Sequence, residues 1–375
     1  MKKLLLLLFL LLPIGVGAIE TSARSAILMD MDSNRIIYEE NINEKRSVAS
    51  ISKIMTAVIA IESNKLDDKV IIGDEINKSY GSGIYIKVGE EIEKSYGSGI
   101  YIKVGEKLTL RDLVYGLMLR SGNDAALAIA KYVGGSIEDF VKMMNKKAKE
   151  IGMNNTEFHN PSGLDQEEGN YSTAYDMAIL TSYAMKLDDY KTITSTKKYT
   201  LTTNKNVYSW INKNKLLSIY KYTTGGKTGF TEIAKRTLVS TASKNNTNLV
   251  VVTLNDGNDW QDHQNLFEYG FSNYTNLKIL EKGNITIYDD NYYDDYRLYV
   301  KNDFYYLLSN SEENNLIFKY ELNKKRSINN GDKVGILNIY LGDKKIHEEK
   351  IHVKVINNKE RSFFDKFKKW FRNLW

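Results

Sequence analysis

The chain has 375 residues, 42% of them hydrophobic, and a formal net charge of +5. This length suits two domains with a sizeable core. The body of the chain has no basic stripe interleaved with aromatic residues, so nucleic-acid binding is not indicated. The absence of cysteine excludes disulfides and thiol chemistry. The four histidines form no cluster with metal-ligand spacing, so we expect neither a metal nor another cofactor. They are His159, His263, His347 and His352.

Residues 1–18 have the pattern of a secretory signal peptide. Lys2-Lys3 forms a charged start, Leu4–Leu12 is apolar, and Val16-Gly17-Ala18 offers small residues for cleavage. The apolar stretch is short for a membrane-spanning helix, and an uncleaved anchor is the alternative. In either case we expect secretion across the cytoplasmic membrane, with the body of the chain outside the cytoplasm.

A predicted hairpin over 25–38 precedes a predicted buried helix that begins near Ser50. Ser50 and Lys53 are three residues apart and share one face of the first helical turn. A serine hydroxyl becomes a good nucleophile when a neighbour takes its proton, and a lysine can do so when burial favours its neutral form. The alternative is that Ser50 only caps a helix and Lys53 is solvated.

A tandem duplication follows a short predicted strand at Val70–Ile72. The segment Lys78–Glu90 recurs unchanged as Lys94–Glu106, 16 residues later. Two copies are too few for a solenoid. Either copy can continue the surrounding chain, so we expect the extra copy to extend a surface loop or hairpin at little cost in closure entropy.

A polar loop at Ser121-Gly122-Asn123 is predicted between two buried helices. Thr109 and Asp112 form a capping signal for the first helix. Asp124 is expected to cap the second helix, which is rich in alanine. Such a loop can hold polar side chains rigidly, although the simpler interpretation is that Ser121 and Asn123 are turn and cap residues.

A third polar motif, Lys227-Thr228-Gly229, ends a strand-like run. The segments 237–242 and 248–254 flank a turn and predict a further hairpin. Helices enclosed between N-terminal and C-terminal strands predict an α+β domain with one mostly antiparallel sheet and helices packed on it.

The character of the chain changes after Phe271. Short alternating runs replace helical periodicity and predict a small all-β domain over 276–357. The tail at 358–375 differs again, because its large apolar residues fall on one helical face while lysines and Arg372 lie off that face. We expect this amphipathic helix to lie on a membrane surface through residues 362–375. A helix docked onto its own protein is the alternative.

Taken in order, the three motifs Ser-x-x-Lys, Ser-x-Asn and Lys-Thr-Gly resemble those of the D-alanyl-D-alanine carboxypeptidases. These enzymes are low-molecular-mass penicillin-binding proteins. The resemblance runs from about Thr21 to Trp375. It implies a penicillin-binding-protein or β-lactamase-like catalytic domain over 19–275, and it suggests that segments 160–165 and 171–176 frame the site without chemistry of their own.

The resemblance also implies the reaction, which is removal of the terminal D-alanine from peptidoglycan stem pentapeptides. Ser50 would attack the carbonyl between the two D-alanines and Lys53 would take the Ser50 proton. Ser121 would relay a proton toward the leaving amine. β-Lactam antibiotics would inhibit by acylating Ser50.

Four further residues are implied as substrate-binding groups. Asn123 would bind the substrate amide and Lys53, while Lys227 and Thr228 would bind the terminal carboxylate. The backbone N–H groups of Ser50 and Phe230 would form the oxyanion hole.

One departure from the family pattern leaves a question open. Some relatives place an arginine near the position of Asp259 to hold the substrate carboxylate, whereas 256–263 contains none. Arg236 is a possible substitute, although its side chain could equally face solvent.

Two rival functions remain in view. A β-lactamase is disfavoured because no Glu-x-x-Leu-Asn occurs between Asn123 and Lys227. A catalytically idle peptidoglycan-binding or scaffold protein is disfavoured by the intact motifs, although the duplication could have disabled the site.

Overall fold

The structure is a computed structural model, which describes residues 19–80, 98–165, 169–287, 292–294 and 296–355. The predicted signal peptide and the predicted amphipathic tail lie outside the described residues, and so does most of the first repeat copy. The chain divides into two compact units. One unit extends to Ala242 and includes Leu249–Tyr269, and the other comprises Ser243–Asn248 and the chain from Gly270 onward.

The first unit contains both strands and helices. Its strands, including two that extend into the second unit, are β1 (Ala23–Asp30), β2 (Ile36–Glu40), β3 (Arg46–Ser47), β4 (Lys69–Ile71), β5 (Lys107–Thr109), β6 (Tyr171–Ser172), β7 (Lys198–Thr202), β8 (Val207–Ile211), β9 (Thr223–Thr231), β10 (Lys235–Lys244) and β11 (Thr247–Asp256). Its helices are α1 (Lys53–Glu62), α2 (Leu110–Tyr115), α3 (Asn123–Gly134), α4 (Ile137–Glu150), α5 (Ala174–Ala184), α6 (Asp188–Ser195), α7 (Leu216–Ile219) and α8 (Asp259–Asn273), the last of which ends in the second unit.

A five-stranded sheet with the order β2-β1-β11-β10-β9 organises this unit. The β1–β2 and β1–β11 pairs are antiparallel, and so is β9–β10. The apolar run Ala26–Met29 in β1 is fully buried, as expected for a strand covered on both faces. Strand β9 forms one edge of the sheet, so one side of its backbone is free of strand partners within this sheet. The predicted antiparallel sheet with packed helices is confirmed.

Helix α1 runs through the core, and every residue from Lys53 to Ile61 is buried. A helix that is buried all round needs apolar residues on every face, and Lys53 is the one charged exception in that stretch. Helix α2 begins with the predicted capping box of Thr109 and Asp112. The prediction for Asp124 is wrong, because α3 begins at Asn123 with Gly122 at its N-cap, and the Asp124 carboxylate binds another segment instead.

The second unit is all-β over its described residues, apart from the C-terminal end of α8 and a short 3-10 turn. Its remaining strands are β12 (Tyr274–Leu280), β13 (Gly283–Ile285), β14 (Tyr296–Val300), β15 (Phe304–Ser309), β16 (Leu316–Leu322), β17 (Lys333–Leu341) and β18 (Lys344–Val355). Five of them form a sheet of order β13-β14-β18-β17-β16, while β12 pairs with β15. Among the helices of the described ranges, none is long and apolar enough to cross a lipid bilayer.

Candidate active site

The Ser50 hydroxyl lies at the start of α1. A 3-10 turn, Ala49–Ser52, leads directly into the helix. Ala49 has a positive φ of 49°, a strained conformation for a residue with a side chain. The Ser50 Oγ lies 3.0 Å from the Lys53 Nζ. The predicted pairing of these two side chains on one face is therefore present in the fold.

The Lys53 amine is fully buried among three oxygen atoms. Besides Ser50 Oγ, its Nζ donates to Asn123 Oδ1 at 2.7 Å and to the Ser162 carbonyl oxygen. Burial, together with the positive charge of Lys213, lowers the pKa of Lys53 to about 7. A substantial fraction of Lys53 is then neutral at physiological pH, and a neutral amine can accept the Ser50 proton while still donating to the other two oxygens.

The loop between α2 and α3 carries the next two site residues. Helix α2 continues as a π-helical turn, Gly116–Arg120, which ends at Ser121 in the left-handed region with φ 64°. Non-glycine residues hold that conformation where the surrounding structure imposes it. Ser121 Oγ accepts a hydrogen bond from Lys227 Nζ at 3.0 Å, and Asn123 is the Lys53 partner described above.

Lys227 reaches the site from the edge strand β9. Its side chain is almost fully buried, and burial with the charge of Lys53 holds its pKa well below the ordinary lysine value. Gly229 lets β9 approach the nucleophile closely, because a Cβ at this position would lie 3.0 Å from the Ser50 nitrogen and 2.4 Å from Thr237 Oγ1. The backbone of β9 therefore lies directly against the turn that carries Ser50.

Hydrogen bonds thus connect Ser50, Lys53 and Asn123 in one group, and Ser121 and Lys227 in another. Thr228 and Phe230 follow Lys227 on β9, where the Thr228 side chain is half-buried and Phe230 is 58% exposed. Among the described residues, the Thr228 hydroxyl makes no hydrogen bond. Its role and that of the Phe230 N–H stay predictions.

Several residues that contact the site were not predicted from the sequence. The Ser162 carbonyl binds Lys53 although segment 160–165 was assigned no chemistry. The buried Asp124 carboxylate accepts the N–H groups of Ile100 at 3.0 Å and Tyr101 at 2.7 Å. It thereby ties the second repeat copy to α3. Every residue has a backbone carbonyl, so nothing in the sequence marks the carbonyl of Ser162 as a ligand of Lys53. The duplication was the signal for the Ile100 segment.

The second repeat copy forms a wall beside the site, defined here as residues 98–106. Ile100 and Ile102 are buried in the main hydrophobic core. The Ser98 carbonyl accepts from the Asn123 N–H at 2.8 Å, and the buried Glu106 carboxylate accepts from Tyr208 OH at 3.0 Å. The described part of the second copy therefore fills the position next to the Ser121–Asn123 loop.

Comparison with known proteins identifies the family. The family model described as D-alanyl-D-alanine carboxypeptidase matches residues 14–258, about two thirds of the chain. The chain belongs to this family. A second model, described as penicillin-binding protein 5, C-terminal domain, matches residues 274–360.

Individual carboxypeptidase relatives agree with this assignment. D-alanyl-D-alanine carboxypeptidase DacF of Bacillus subtilis is 36% identical over 236 residues, which is 61% of this chain and 56% of that protein. DacD of Escherichia coli is 28% identical over 344 residues, 87% of this chain and 84% of that protein. The crystal structure of penicillin binding protein 5 from Haemophilus influenzae superposes with a TM-score of 0.73 and 27% identity, covering 91% of this chain and 99% of that chain.

Arg236, whose role the sequence left undecided, lies on β10 beside β9. It lies opposite Phe230 in the β9–β10 register. Its Nε donates to Asp259 Oδ2 at 3.1 Å, its Nη2 donates to Asp259 Oδ1, and its guanidinium lies 5.8 Å from the Trp260 ring centroid. The Arg236 side chain is 43% exposed and the Asp259 side chain 4%. A buried carboxylate thus orients a solvent-accessible guanidinium.

Proposed function

We propose that this chain is a serine-type carboxypeptidase that removes the terminal D-alanine from peptidoglycan stem pentapeptides through an acyl-enzyme on Ser50. The observation that carries the proposal is the contact of 3.0 Å between Ser50 Oγ and Lys53 Nζ. Burial gives this amine a pKa of about 7. A base with a pKa near the working pH is the most effective proton acceptor.

In the proposed acylation step, Ser50 Oγ bonds to the carbonyl carbon between the two D-alanines and Lys53 Nζ takes the hydroxyl proton. The C–N bond then breaks. The leaving amine nitrogen receives, through the Ser121 hydroxyl that Lys227 holds, the proton that Lys53 had taken. A water molecule then attacks the ester carbonyl and gives a proton to Lys53. The ester C–O bond breaks, Ser50 Oγ receives that proton, and the shortened peptide leaves. Acylation by a β-lactam follows the same first step.

Substrate binding is proposed at the edge of β9. Asn123 would bind the substrate amide, while the N–H groups of Ser50 and Phe230 would face the developing oxyanion. Lys227 and Thr228 would hold the terminal carboxylate. Support comes from the position of β9 at the edge of its sheet and from the closeness of Gly229 to the Ser50 nitrogen.

We assign Arg236 as the further cation for the terminal carboxylate. It lies opposite Phe230 on β10, the strand next to β9, and the buried Asp259 carboxylate holds its guanidinium. Arginine suits this task because its planar fork of N–H donors matches a carboxylate. The exposed fraction of its side chain leaves donors for a ligand.

The location of the enzyme is proposed from sequence outside the described residues. Residues 1–18 would direct secretion, and residues 362–375 would attach the enzyme to the outer face of the cytoplasmic membrane, where its cell-wall substrate lies. The catalytic domain would span 19–275. The β-rich domain over 276–357 would serve as a support or spacer, since its sequence contains no catalytic constellation.

The decisive experiment measures D-alanine release from a stem pentapeptide by the mature enzyme, with and without an acceptor amine. We expect steady release, and covalent labelling by a fluorescent penicillin that Ser50→Ala abolishes. Ser63→Ala is the matched control, because Ser63 lies at the far end of the same helix, where its hydroxyl bonds to the Ala60 carbonyl.

The alternatives give different results in the same experiment. Rapid hydrolysis of the penicillin without D-alanine release would show a β-lactamase, and no turnover of either compound would show an idle binding protein. Transfer of the acyl group to the acceptor amine in place of hydrolysis would show a transpeptidase. Labelling of a folded Ser50→Ala protein would contradict the choice of nucleophile.

A further inference from the structure

The connection between β8 and α7, residues 212–215, links several parts of the site. The Lys213 N–H donates to the Leu119 carbonyl at 3.0 Å, in the turn that precedes Ser121. Asn214 Nδ2 donates to the Gly225 carbonyl at 3.2 Å, in the strand that carries Lys227. This short segment therefore fixes the Ser121 loop and β9 relative to each other.

The Lys213 ammonium adds a link to the repeat-derived wall. Lys213 Nζ donates to Ser98 Oγ at 2.6 Å, and the Ser98 carbonyl accepts the Asn123 N–H at 2.8 Å. Asn123 in turn binds Lys53. A continuous series of hydrogen bonds thus runs from Lys213 through Ser98 and Asn123 to the proposed base.

The positive charge of Lys213 also acts on the site. Lys213 is half-buried, and among the residues described in the structure no carboxylate lies within ion-pair distance of it. Burial and Arg120 lower the pKa of Lys213 itself. Burial is the main cause of the low pKa of Lys53, Lys213 adds to it, and Asp124 opposes it. For Lys227, burial acts first, then Lys53, then Lys213.

We propose that Lys213 is a positioning residue, which holds the wall segment against the Asn123 loop through Ser98 and sets the electrostatic environment of Lys53. This inference rests on the proposed function, because it concerns the base of that reaction. A cation near Lys53 opposes a second positive charge on the Lys53 amine. Loss of Lys213 should therefore favour the protonated, inactive form of Lys53.

The test is the pH dependence of the second-order rate of acylation by a fluorescent penicillin. Lys213→Met removes both the charge and the hydrogen bond, Lys213→Gln keeps a donor without the charge, and Lys213→Arg keeps both. In a plot of acylation rate against pH, we expect the rising part of the curve, or rising limb, to move to higher pH by about half a unit or more in the Met and Gln variants. In the Arg variant it should stay at the wild-type pH. Lys215→Met, at an exposed lysine two residues along the chain, is the matched control.

A second substitution separates positioning from charge. Ser98→Ala removes the Lys213 acceptor and should lower the plateau rate at least about threefold without moving the limb. Thermal unfolding confirms that each variant is folded. If Lys213→Met lowers the yield of folded protein, the pH dependence of the Gln variant is compared with that of the Arg variant instead. A limb that stays at the wild-type pH in both the Met and Gln variants overturns the proposal, whereas failure of the wild-type enzyme to be acylated overturns the proposed function instead.

Discussion

At the residue scale, the proposed chemistry depends on two lysines that the fold has removed from water. Lys53 and Lys227 are both almost fully buried, and burial is the first cause of the lowered pKa in each case. Placing an amine in the interior disfavours its charged form. For Lys53, this neutral form is the one that the proposed mechanism needs to accept a proton.

This environment predicts the pH dependence of acylation. Lys53 acts as a base only when neutral, so the rate constant for acylation at low penicillin concentration should rise by about tenfold per pH unit below pH 7 and level off above it. The rise of the rate toward pH 7 follows from the lowered pKa of Lys53, about 7, because Lys53 becomes neutral as the pH rises through this value. Lys53→Met should lower the plateau by about 10²–10⁴-fold. A rate that rises only near pH 10, the ordinary lysine range, would contradict the assignment.

Arg236 gives a second prediction at this scale. Arg236→Ala should raise the KM for a pentapeptide substrate about tenfold or more, equivalent to about 1.4 kcal/mol of binding, since a charge-assisted bond to the terminal carboxylate is lost. Steady-state kinetics of D-alanine release measure this change. Lys235→Ala, at the exposed neighbour, is the control. Equal KM values for the two variants would show that Arg236 does not touch the substrate.

At the scale of elements, the described part of the second repeat copy lies next to the candidate site. The described part of the second copy packs Ile100 and Ile102 into the core, and its backbone binds Asp124 and Asn123. The three motifs keep their mutual hydrogen bonds. The described part of one copy therefore makes the contacts seen at this position.

Deleting one copy should therefore leave the enzyme active. Removing residues 78–93 or residues 91–106 yields the same polypeptide, because the copies are identical. The rate of penicillin acylation should stay within about tenfold of wild type, a barrier change of roughly 1.4 kcal/mol. A loss of several orders of magnitude in a folded protein would show that the extra 16 residues build part of the site. A variant with the first copy replaced by a Gly-Ser linker of equal length controls for chain length.

At the scale of the whole molecule, the chain combines the catalytic unit with an all-β unit and a basic, aromatic tail. The family models reach residue 360. The tail beyond that point has seven large apolar residues at a spacing that predicts one helical face. At roughly 1.5 kcal/mol each, their burial in a bilayer has an upper limit of about 10 kcal/mol before the cost of ordering the helix.

Truncation after Asn358 should therefore move the mature enzyme from the membrane fraction to the soluble fraction. The measurement is sedimentation with membranes, followed by penicillin labelling of both fractions. Labelling of the truncated enzyme shows that its catalytic unit is folded. As a control in the full-length chain, Phe367→Glu combined with Trp370→Glu should have the same effect, since it places charge on the apolar face. Continued sedimentation of both variants would remove the anchor from the proposal.

The features that sequence alone determined are those made by neighbours along the chain. Ser50 and Lys53 are one helical turn apart, Thr109 caps α2 through Asp112, and the alternating runs of the second unit became strands. Local stereochemistry dictates such contacts. Strand β12 and helix α8 were not predicted, since their burial depends on the elements that cover them.

Only the tertiary structure decided how the remaining groups meet at the site. Sequence order indicated that the three motifs act together, but it did not reveal that the Ser162 carbonyl, 109 residues from Lys53, completes the amine's surroundings. It also left open which repeat copy forms the wall, and it overlooked Lys213. Every residue has a backbone carbonyl, so the sequence does not mark the one that binds. Identical repeat copies also have identical local conformational preferences, so the sequence does not distinguish them. Such contacts are therefore set by packing between distant segments, which brings Lys213 to Ser98 and Asp124 to the Ile100 and Tyr101 amides.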